Sequence, residues 1–113
     1  MKAGSFRRKK LASVSSNGFK IIYTESALAD LEAILDYILV DNPAAASRFG
    51  SDLLDHVDLL ADFPHIGSPV NRRRGVRKIL HTPVRVYYRI HEERRCVEIL
   101  HFWHAARHEP DWV

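Results

Sequence analysis

Two amphipathic helical patterns stand next to each other in the sequence, separated by Asn42-Pro43. Apolar residues recur with the period of an α-helix on both sides of this dipeptide, which predicts two helices. Asn42 suits the N-cap of the second helix, and Pro43 suits its first position, where the missing N–H costs no hydrogen bond. Because so few residues join them, the two helices must fold back into an antiparallel hairpin. The apolar positions are Leu28, Leu31, Leu35 and Ile38 in the first helix, and Ala46, Phe49, Leu53, Val57 and Leu60 in the second.

Three further residues define the details of this hairpin. Thr24 is a suitable N-cap for the first helix, and Pro64 predicts that the second helix ends near Phe63. Gly50 lies in the middle of the second helix, where glycine costs up to about 1 kcal/mol relative to alanine. We therefore expect the two helices to approach each other closely at Gly50.

Segments rich in β-branched and aromatic residues flank the hairpin. One covers residues 19–23, and three follow it at 76–81, 84–91 and 97–103. The last of these is apolar on both faces, which is typical of a central strand. The element order is therefore β-α-α-β-β-β. It predicts an α+β fold in which the helical hairpin covers one face of an antiparallel sheet. Residues 64–75 are expected to form an exposed loop.

Charged residues are distributed unevenly along the chain. Residues 1–18 contain five Lys or Arg residues and no acidic residue, whereas residues 19–63 contain nine acidic and two basic residues. Residues 64–113 contain ten basic and five acidic residues. We interpret residues 1–18 as a basic, flexible leader and residues 19–113 as the folded domain. The basic second half of the domain suggests that it meets a polyanion or an acidic partner.

Length and composition exclude several classes of protein. The chain has 113 residues, of which 46% are apolar, so one small domain is expected. No apolar run approaches the roughly 18 residues of a membrane-spanning helix, and residues 1–18 lack the apolar stretch of a secretory signal. The single cysteine, Cys96, cannot form an internal disulfide. These features predict a cytoplasmic protein with no membrane partner.

A cluster of basic residues is the principal candidate for a functional site. Arg77, Lys78, Arg85 and Arg89 lie on two successive predicted strands. If these strands pair, some of the four cations meet on one face beside Tyr87, where they could bind phosphate while the ring stacks on a base. The alternative explanation is an ordinary solvated sheet face.

Histidines near the C-terminus are the second candidate. His104 or His108 could act as a general acid or base near neutral pH. Alternatively, His104 and Arg107 cap the last strand. His101 and His104 are three residues apart on a predicted strand and would point to opposite faces, which disfavours a zinc site. The chain also lacks a glycine-rich phosphate loop, so neither a metal nor another cofactor is expected.

A series of short motifs runs through residues 19–107. In order, they are Ala29-Asp30-Leu31, Asp36-Tyr37-Ile38, Asn42-Pro43-Ala44-Ala45-Ala46, Phe63-Pro64-His65-Ile66-Gly67, Gly75-Val76-Arg77, Arg85-Val86-Tyr87-Tyr88-Arg89-Ile90, Val97-Glu98-Ile99-Leu100 and His104-Ala105-Ala106-Arg107. In this order and spacing they resemble the RelE/ParE superfamily of toxins from type II toxin–antitoxin modules. The resemblance covers almost all of the predicted domain and none of the leader.

The resemblance implies a growth-arresting toxin, of the kind that stabilises plasmids, held inactive by a cognate antitoxin. RelE-like members are ribosome-dependent mRNA endonucleases that use basic residues of the sheet and often a C-terminal Tyr or His. ParE-like members lack that set and inhibit DNA gyrase. The antitoxin is expected to cover the strand edge and the basic sheet face, by strand addition or as a helix in a groove.

The details of the motifs resemble the ParE branch more closely. Lys78 and Arg85 fall where the ribonucleases carry basic residues, but no Tyr follows Arg107, and Ala105 replaces a second basic residue. The Asn-Pro-Ala-Ala and His-x-x-Arg motifs are similar to those of ParE-like toxins. The resemblance therefore implies a non-enzymatic gyrase inhibitor. Its functional basic face would consist of Arg77, Lys78, Arg85, Arg89 and Arg107. The alternative is an mRNA interferase acting with the ribosome, in which Lys78, Arg85 and His104 are catalytic.

Overall fold

The computed structural model describes residues 18–108 and residue 110, so residues 1–17 of the predicted leader lie outside the described residues. The strands and helices are β1 (Lys20–Tyr23), α1 (Glu25–Asp41), α2 (Pro43–Asp58), β2 (Ser68–Pro69), β3 (Val76–His81), β4 (Val84–His91) and β5 (Cys96–His104). Two short 3₁₀ turns, Leu59–Ala61 and Pro64–Ile66, lie between α2 and β2. None of the described helices is long and apolar enough to cross a membrane.

In the described part of the chain, five strands form one sheet in the order β1-β5-β4-β3-β2. β5 is an interior strand with a neighbour on each side, as its apolar faces predicted, and it pairs with β4 in the antiparallel direction. β1 lies on the other side of β5 and runs parallel to it. The predicted α+β class is thus confirmed, while the sheet is mixed because its first strand joins in parallel. β2 is a two-residue strand within the segment predicted as a loop.

Both helices begin at the residues that the sequence indicated. The Thr24 hydroxyl accepts a hydrogen bond from the Ala27 N–H at 3.0 Å, and the Asn42 side chain accepts one from the Ala45 N–H at 3.0 Å. Each bond satisfies an N–H group that has no partner within its helix. The regular α2 helix ends at Asp58, earlier than predicted, because its last turn tightens into the 3₁₀ turn that follows.

Gly50 lies where α2 meets α1. It is buried, and a Cβ atom built on it would lie 3.3 Å from Cδ2 of Leu35 on α1. This separation is already tight for two carbon atoms, so the backbone of α2 packs directly against the Leu35 side chain. The expected close approach of the two helices is confirmed.

The main hydrophobic core fills the space between the helical hairpin and the sheet. β4 and β5 contribute buried side chains from the face of the sheet that the helices cover, and α1 and α2 contribute side chains that point toward this face. Its most deeply buried members include Ile21, Leu53, Val57, Leu60, Val86, Tyr88, Val97, Ile99 and Phe102. A second, smaller cluster lies on the opposite face of the sheet, where Val70, Val76 and Tyr87 pack with Leu100 and Trp103.

The Tyr88 hydroxyl fixes the turn between α2 and β2. It donates a hydrogen bond to the Pro64 carbonyl at 2.8 Å and accepts one from the Gly67 N–H at 2.9 Å. Burial raises the pKa of Tyr88, so the hydroxyl keeps its proton. A Cβ atom on Gly67 would collide with this hydroxyl and lie 2.7 Å from the Lys78 carbonyl oxygen. The Pro64–Gly67 turn is therefore tied to the sheet by contacts that admit no side chain at Gly67.

We expect Tyr88→Phe to lower the free energy of unfolding by about 1–3 kcal/mol, because it leaves a buried N–H and a buried carbonyl without their partner. Chemical denaturation of the purified protein measures this change. Tyr37→Phe is the matched control, since the Tyr37 side chain is 74% exposed, and it should change stability by less than about 0.5 kcal/mol. Equal effects of the two substitutions would contradict the anchoring role of Tyr88.

Gly50→Leu tests the helix contact. The added side chain must enter the space held by Leu35, and overpacking of this kind costs about 1–3 kcal/mol. Ser47→Leu, on the exposed side of the same helix, should be nearly neutral. Thermal unfolding of both variants measures the difference, and a Gly50→Leu protein as stable as the wild type would show that the helices do not meet closely at this residue.

Candidate functional site

The pairing of β3 with β4 divides the basic residues between two faces. Residues opposite each other in an antiparallel pair point to the same side of the sheet. Arg77 lies opposite Tyr88, which faces the helices, whereas Lys78 lies opposite Tyr87, which faces away from them. We call the side that faces away from the helices the outer face. Lys78, Arg85 and Arg89 belong to it.

Arg77 does not lie on the outer face with the other cations of the predicted basic face. Its side chain lies on the helix-facing side, where Nη1 donates a hydrogen bond of 2.6 Å to the Gly67 carbonyl. A second, longer bond of 3.3 Å reaches the His65 carbonyl. The guanidinium thus helps to hold the Pro64–Gly67 turn. The alternation of side chains along β3 is the physical reason that neighbouring residues separate.

Tyr87 lies at the centre of the outer face but is inaccessible. Its side chain is 0% exposed and belongs to the second cluster, together with Val70, Val76 and Trp103. It therefore cannot stack on a base while this cluster is intact, and that predicted role is wrong. The half-buried Lys78, Arg85 and Arg89 occupy the same face, with Arg72, Arg73 and Arg74 in the exposed loop before β3.

A β-bulge in β5 decides which way the C-terminal residues point. Tyr88 lies opposite Ile99, but Tyr87 lies opposite His101, so Leu100 is an extra residue in the ladder. Such a bulge reverses the alternation of every residue beyond it. Phe102 consequently points into the main core, and Trp103 points to the outer face.

His104 is displaced from the outer face by the same bulge. It lies opposite Val84, whose side chain is in the main core, and is therefore on the helix-facing side. Its Nδ1 accepts a hydrogen bond from the Ala106 N–H at 3.1 Å. The ring caps the turn that ends β5, which agrees with the capping alternative of the sequence analysis. Lys78 and Arg85 lie on one face of the sheet and His104 on the other, so the structure does not bring the three residues together.

Arg107 also has a structural role in the C-terminal turn. Its guanidinium carbon lies 3.8 Å from the centre of the Trp103 ring, which is a cation–π contact. The Trp103 Nε1–H donates to the His108 carbonyl at 2.8 Å. Arg107 therefore lies against the outer face and covers one edge of the second cluster.

Two contacts involving polar residues were not anticipated from the sequence. Asp30 on α1 accepts hydrogen bonds from the His101 ring at 2.8 Å and from the Phe102 N–H at 3.2 Å. β1 pairs with β5 only as far as Ile99. Beyond the end of β1, this carboxylate therefore accepts the hydrogen bond of a β5 backbone N–H that has no neighbouring strand on that side. These two contacts with β5, rather than a ligand, explain why an acidic residue stands at position 30. No local sequence pattern signals a contact between residues so far apart.

The second unanticipated contact joins His56 on α2 to His81 at the end of β3. The two Nδ1 atoms are 2.9 Å apart. Burial, and then the proximity of His56, lower the pKa of His81, so this ring is neutral at neutral pH. An open cavity of about 260 Å³ lies beside the pair, between the end of α2 and the edge of β3, and Leu59, Ile66 and Leu80 line it.

Comparison with known proteins places the chain in a family. Residues 21–109 match the family model described as the ParE toxin of the type II toxin–antitoxin system parDE. Y4kP of Sinorhizobium fredii is 37% identical over 93 residues, which cover 80% of this chain and 93% of that protein. Toxin RelE2 of Caulobacter vibrioides is 35% identical over 88 residues, covering 78% of this chain and 97% of that protein.

Solved structures agree with these sequence matches. A chain of the chromosomal ParDE system from P. aeruginosa superposes with a TM-score of 0.68 and 26% identity, covering 79% of this chain and 98% of that one. A chain of the RelBE2 toxin–antitoxin complex from Mycobacterium tuberculosis gives a TM-score of 0.54 and 28% identity, covering 77% and 98%. The family model covers residues 21–109, which include both helices and almost all of the sheet, and the chain is therefore a type II toxin–antitoxin toxin of the RelE/ParE superfamily, belonging to the ParE toxin family.

Proposed function

We propose that this toxin arrests growth by binding and inhibiting DNA gyrase, that it acts in the cytoplasm without cleaving RNA, and that a cognate antitoxin neutralises it. The observation that carries the proposal is the separation of Lys78 and Arg85 from His104 on opposite faces of the sheet. The match of residues 21–109 to the ParE toxin family also supports it.

The separation bears on catalysis for a geometric reason. Metal-free RNA cleavage requires a proton acceptor within hydrogen-bond reach of the 2′-hydroxyl and cations beside the phosphate of the same nucleotide. One nucleotide cannot contact Lys78 and Arg85 on the outer face and also His104 on the helix-facing side. His104 is moreover engaged by the Ala106 N–H in capping the strand. An inhibitor that acts by binding needs no such convergence.

The second candidate function is that of a ribosome-dependent mRNA endonuclease. Three cations of the outer face, Lys78, Arg85 and Arg89, favour it, since a cluster of this kind attracts a polyanion. The similarity to toxin RelE2 points the same way. In this case a residue other than His104 would have to move the proton.

The antitoxin is proposed to bind over the outer face and the adjoining edge of β3. Both solved relatives belong to toxin–antitoxin systems, which supports a protein partner. Within the described residues, β2 pairs with β3 only at Arg77 and Lys78, so the edge of β3 from Ile79 to His81 is open to an added strand. The neighbouring Leu80 side chain is 57% exposed. A partly acidic, partly apolar segment fits this combination of cations and apolar surface.

His104→Ala tests whether His104 has the catalytic role that it would have in an mRNA interferase acting through Lys78, Arg85 and His104. We expect the variant to inhibit the supercoiling activity of purified gyrase within about tenfold of the wild type. If His104 were instead the general acid or base of a nuclease, its loss would cost about 10²–10⁴-fold in rate. Arg94→Ala, in the exposed turn after β4, is the matched surface control. Circular dichroism verifies that both variants fold.

Mapping of RNA 5′ ends in induced bacterial cells provides the opposing measurement. The gyrase proposal predicts growth arrest with a DNA-damage response and no new cuts. New cuts inside translated codons within minutes of induction would overturn it in favour of the endonuclease. Cuts that persist in the His104→Ala strain would show that a residue other than His104 moves the proton.

Lys78→Glu tests the antitoxin surface. Reversing one charge beneath an acidic partner should weaken the toxin–antitoxin complex at least about tenfold, and the loss should be smaller at high salt. Arg94→Glu makes the same charge change outside the proposed surface and should leave the affinity nearly unchanged. Isothermal titration with the purified antitoxin measures both, and equal affinities for the two variants would show that the antitoxin binds elsewhere.

A further inference from the structure

A short loop of defined shape, residues 71–75, joins β2 to β3. The Val70 N–H donates to the Val76 carbonyl at 2.9 Å, so the two strands stay paired up to the loop. Two consecutive turns follow, closed by the Arg73 N–H on the Val70 carbonyl at 3.2 Å and by the Val76 N–H on the Arg73 carbonyl at 3.1 Å. Gly75, the third residue of the second turn, has a φ of 80°, which glycine adopts without strain. These bonds fix the path of the loop backbone.

The two ends of the loop are anchored in the second cluster. Val70 and Val76 are buried and pack with Tyr87, whereas residues 71–75 between them are exposed. A loop with buried ends and a hydrogen-bonded backbone holds its exposed side chains in one region of the surface.

Arginine side chains are concentrated at this end of the sheet. Arg72, Arg73 and Arg74 are exposed in the loop. Arg89 joins them from β4, since its Nε lies 3.9 Å from the position of a Cβ atom on Gly75. We call these four arginines the arginine ridge.

The positive charge of the ridge is not offset by the carboxylates around it. Arg72, Arg74 and Arg89 form no ion pair with another residue that the structure describes. Glu98 lies opposite Arg89 across β4 and β5 but accepts a hydrogen bond from the His91 ring at 2.9 Å. The neighbouring turn, residues 92–95, contains two acidic and two basic residues and has no net charge. The ridge is therefore a site for an external anion.

The composition of the loop favours a phosphate backbone over a protein segment. Its sequence, Asn71-Arg72-Arg73-Arg74-Gly75, contains no apolar side chain, whereas the centres of protein interfaces are apolar and depleted in charge. The planar guanidinium group binds phosphate through two parallel hydrogen bonds. Each strand of B-DNA carries one phosphate per about 3.4 Å along the axis, so several arginines find a partner at once.

The aromatic side chains beside the ridge are covered, which favours a duplex over a single strand. Sites for single strands combine cations with accessible rings on which the bases stack. Tyr87, which packs against both ends of the loop, is 0% exposed, and the Arg107 guanidinium lies over the Trp103 ring. Binding to a duplex needs contacts with phosphate and sugar only.

We propose that the arginine ridge binds the phosphodiester backbone of duplex DNA without reading its sequence. The proposal rests on the proposed function in one respect, because gyrase supplies the DNA that the toxin meets in the cell. Arg89 also belongs to the outer face proposed for the antitoxin. An acidic antitoxin segment on that face would compete with DNA phosphates for this cation, which links DNA binding to neutralisation.

Fluorescence anisotropy of a short labelled DNA duplex, titrated with the full chain in the absence of gyrase, tests the proposal. Arg72→Glu and Arg74→Glu should each weaken binding at least about tenfold at low salt, because each replaces a phosphate contact with a repulsion. Arg72→Ala should make the plot of log affinity against log salt concentration shallower by about one unit, the contribution of one phosphate contact.

Arg48→Glu is the matched control. It makes the same charge change on the exposed side of α2, which covers the opposite face of the sheet, and should leave the affinity within about twofold of the wild type. The five basic residues of 1–18 are present in every variant, so their contribution to DNA binding does not affect the comparison. Circular dichroism verifies that the variants fold.

Three results would overturn the proposal. The first is a wild-type chain that does not bind the duplex at low salt. The second is an equal loss of affinity in Arg72→Glu and Arg48→Glu, which would show a general effect of net charge. The third is tighter binding of a single-stranded RNA of the same length that is lost in Arg72→Glu and Arg74→Glu, which would assign the ridge to RNA.

A supercoiling assay separates this site from the proposed function. If the ridge contacts DNA that gyrase carries, Arg72→Glu should inhibit gyrase at least about threefold less effectively than Arg48→Glu, because one of two linked contacts is weakened. A wild-type chain that binds duplex DNA but does not inhibit gyrase would contradict the proposed function and support the DNA site. A chain that inhibits gyrase but does not bind DNA would overturn the DNA site alone.

Discussion

The fold depends on β5 being buried on both of its faces. Val97, Ile99 and Phe102 point into the main core beneath the helices, while Leu100 and Trp103 support the second cluster on the outer face. The backbone of the same strand is paired on both sides, with β1 in parallel and with β4 in the antiparallel direction. A strand in this position cannot shift its register without exposing one core and disrupting the other.

The bulge at Leu100 allows β5 to place apolar side chains in both cores. It also determines on which face of the sheet the residues of the candidate site lie. It lets Ile99 and Phe102 share the helix-facing side although they are three residues apart. The same reversal sends Trp103 outward and His104 inward. Asp30 stabilises the distorted region by accepting the Phe102 N–H at an edge that β1 does not reach. A packing requirement of the core therefore separates His104 from the cations of the outer face.

The basic residues that the sequence analysis grouped into one face have different physical roles. Arg77 holds the Pro64–Gly67 turn through the Gly67 carbonyl, and Arg107 lies on the Trp103 ring. Lys78 and Arg85 remain on the outer face, beside the covered Tyr87. The outer face is thus a surface with an apolar centre and a cationic border. Such a surface is better suited to binding a protein segment than to enclosing a nucleotide, because its centre is already filled by the chain itself.

The sequence by itself determined the order of the elements apart from the two-residue β2, the helical hairpin and the interior position of β5. These follow from local rules: the Thr24 and Asn42 caps, the period of the apolar residues and the alternation within the strands. The family resemblance, which rests on motifs along the whole domain, was confirmed by the comparisons.

Only the tertiary structure decided which side chains share a face or meet in space. The parallel pairing of β1, the bulge at Leu100 and the meeting of His56 with His81 all join residues that are distant in the chain. Local propensity carries no information about such contacts. They depend on the packing of the whole domain, in which side chains of β5 fill one core on each face of the sheet. One extra residue in β5 was enough to move His104 to the other side of the sheet.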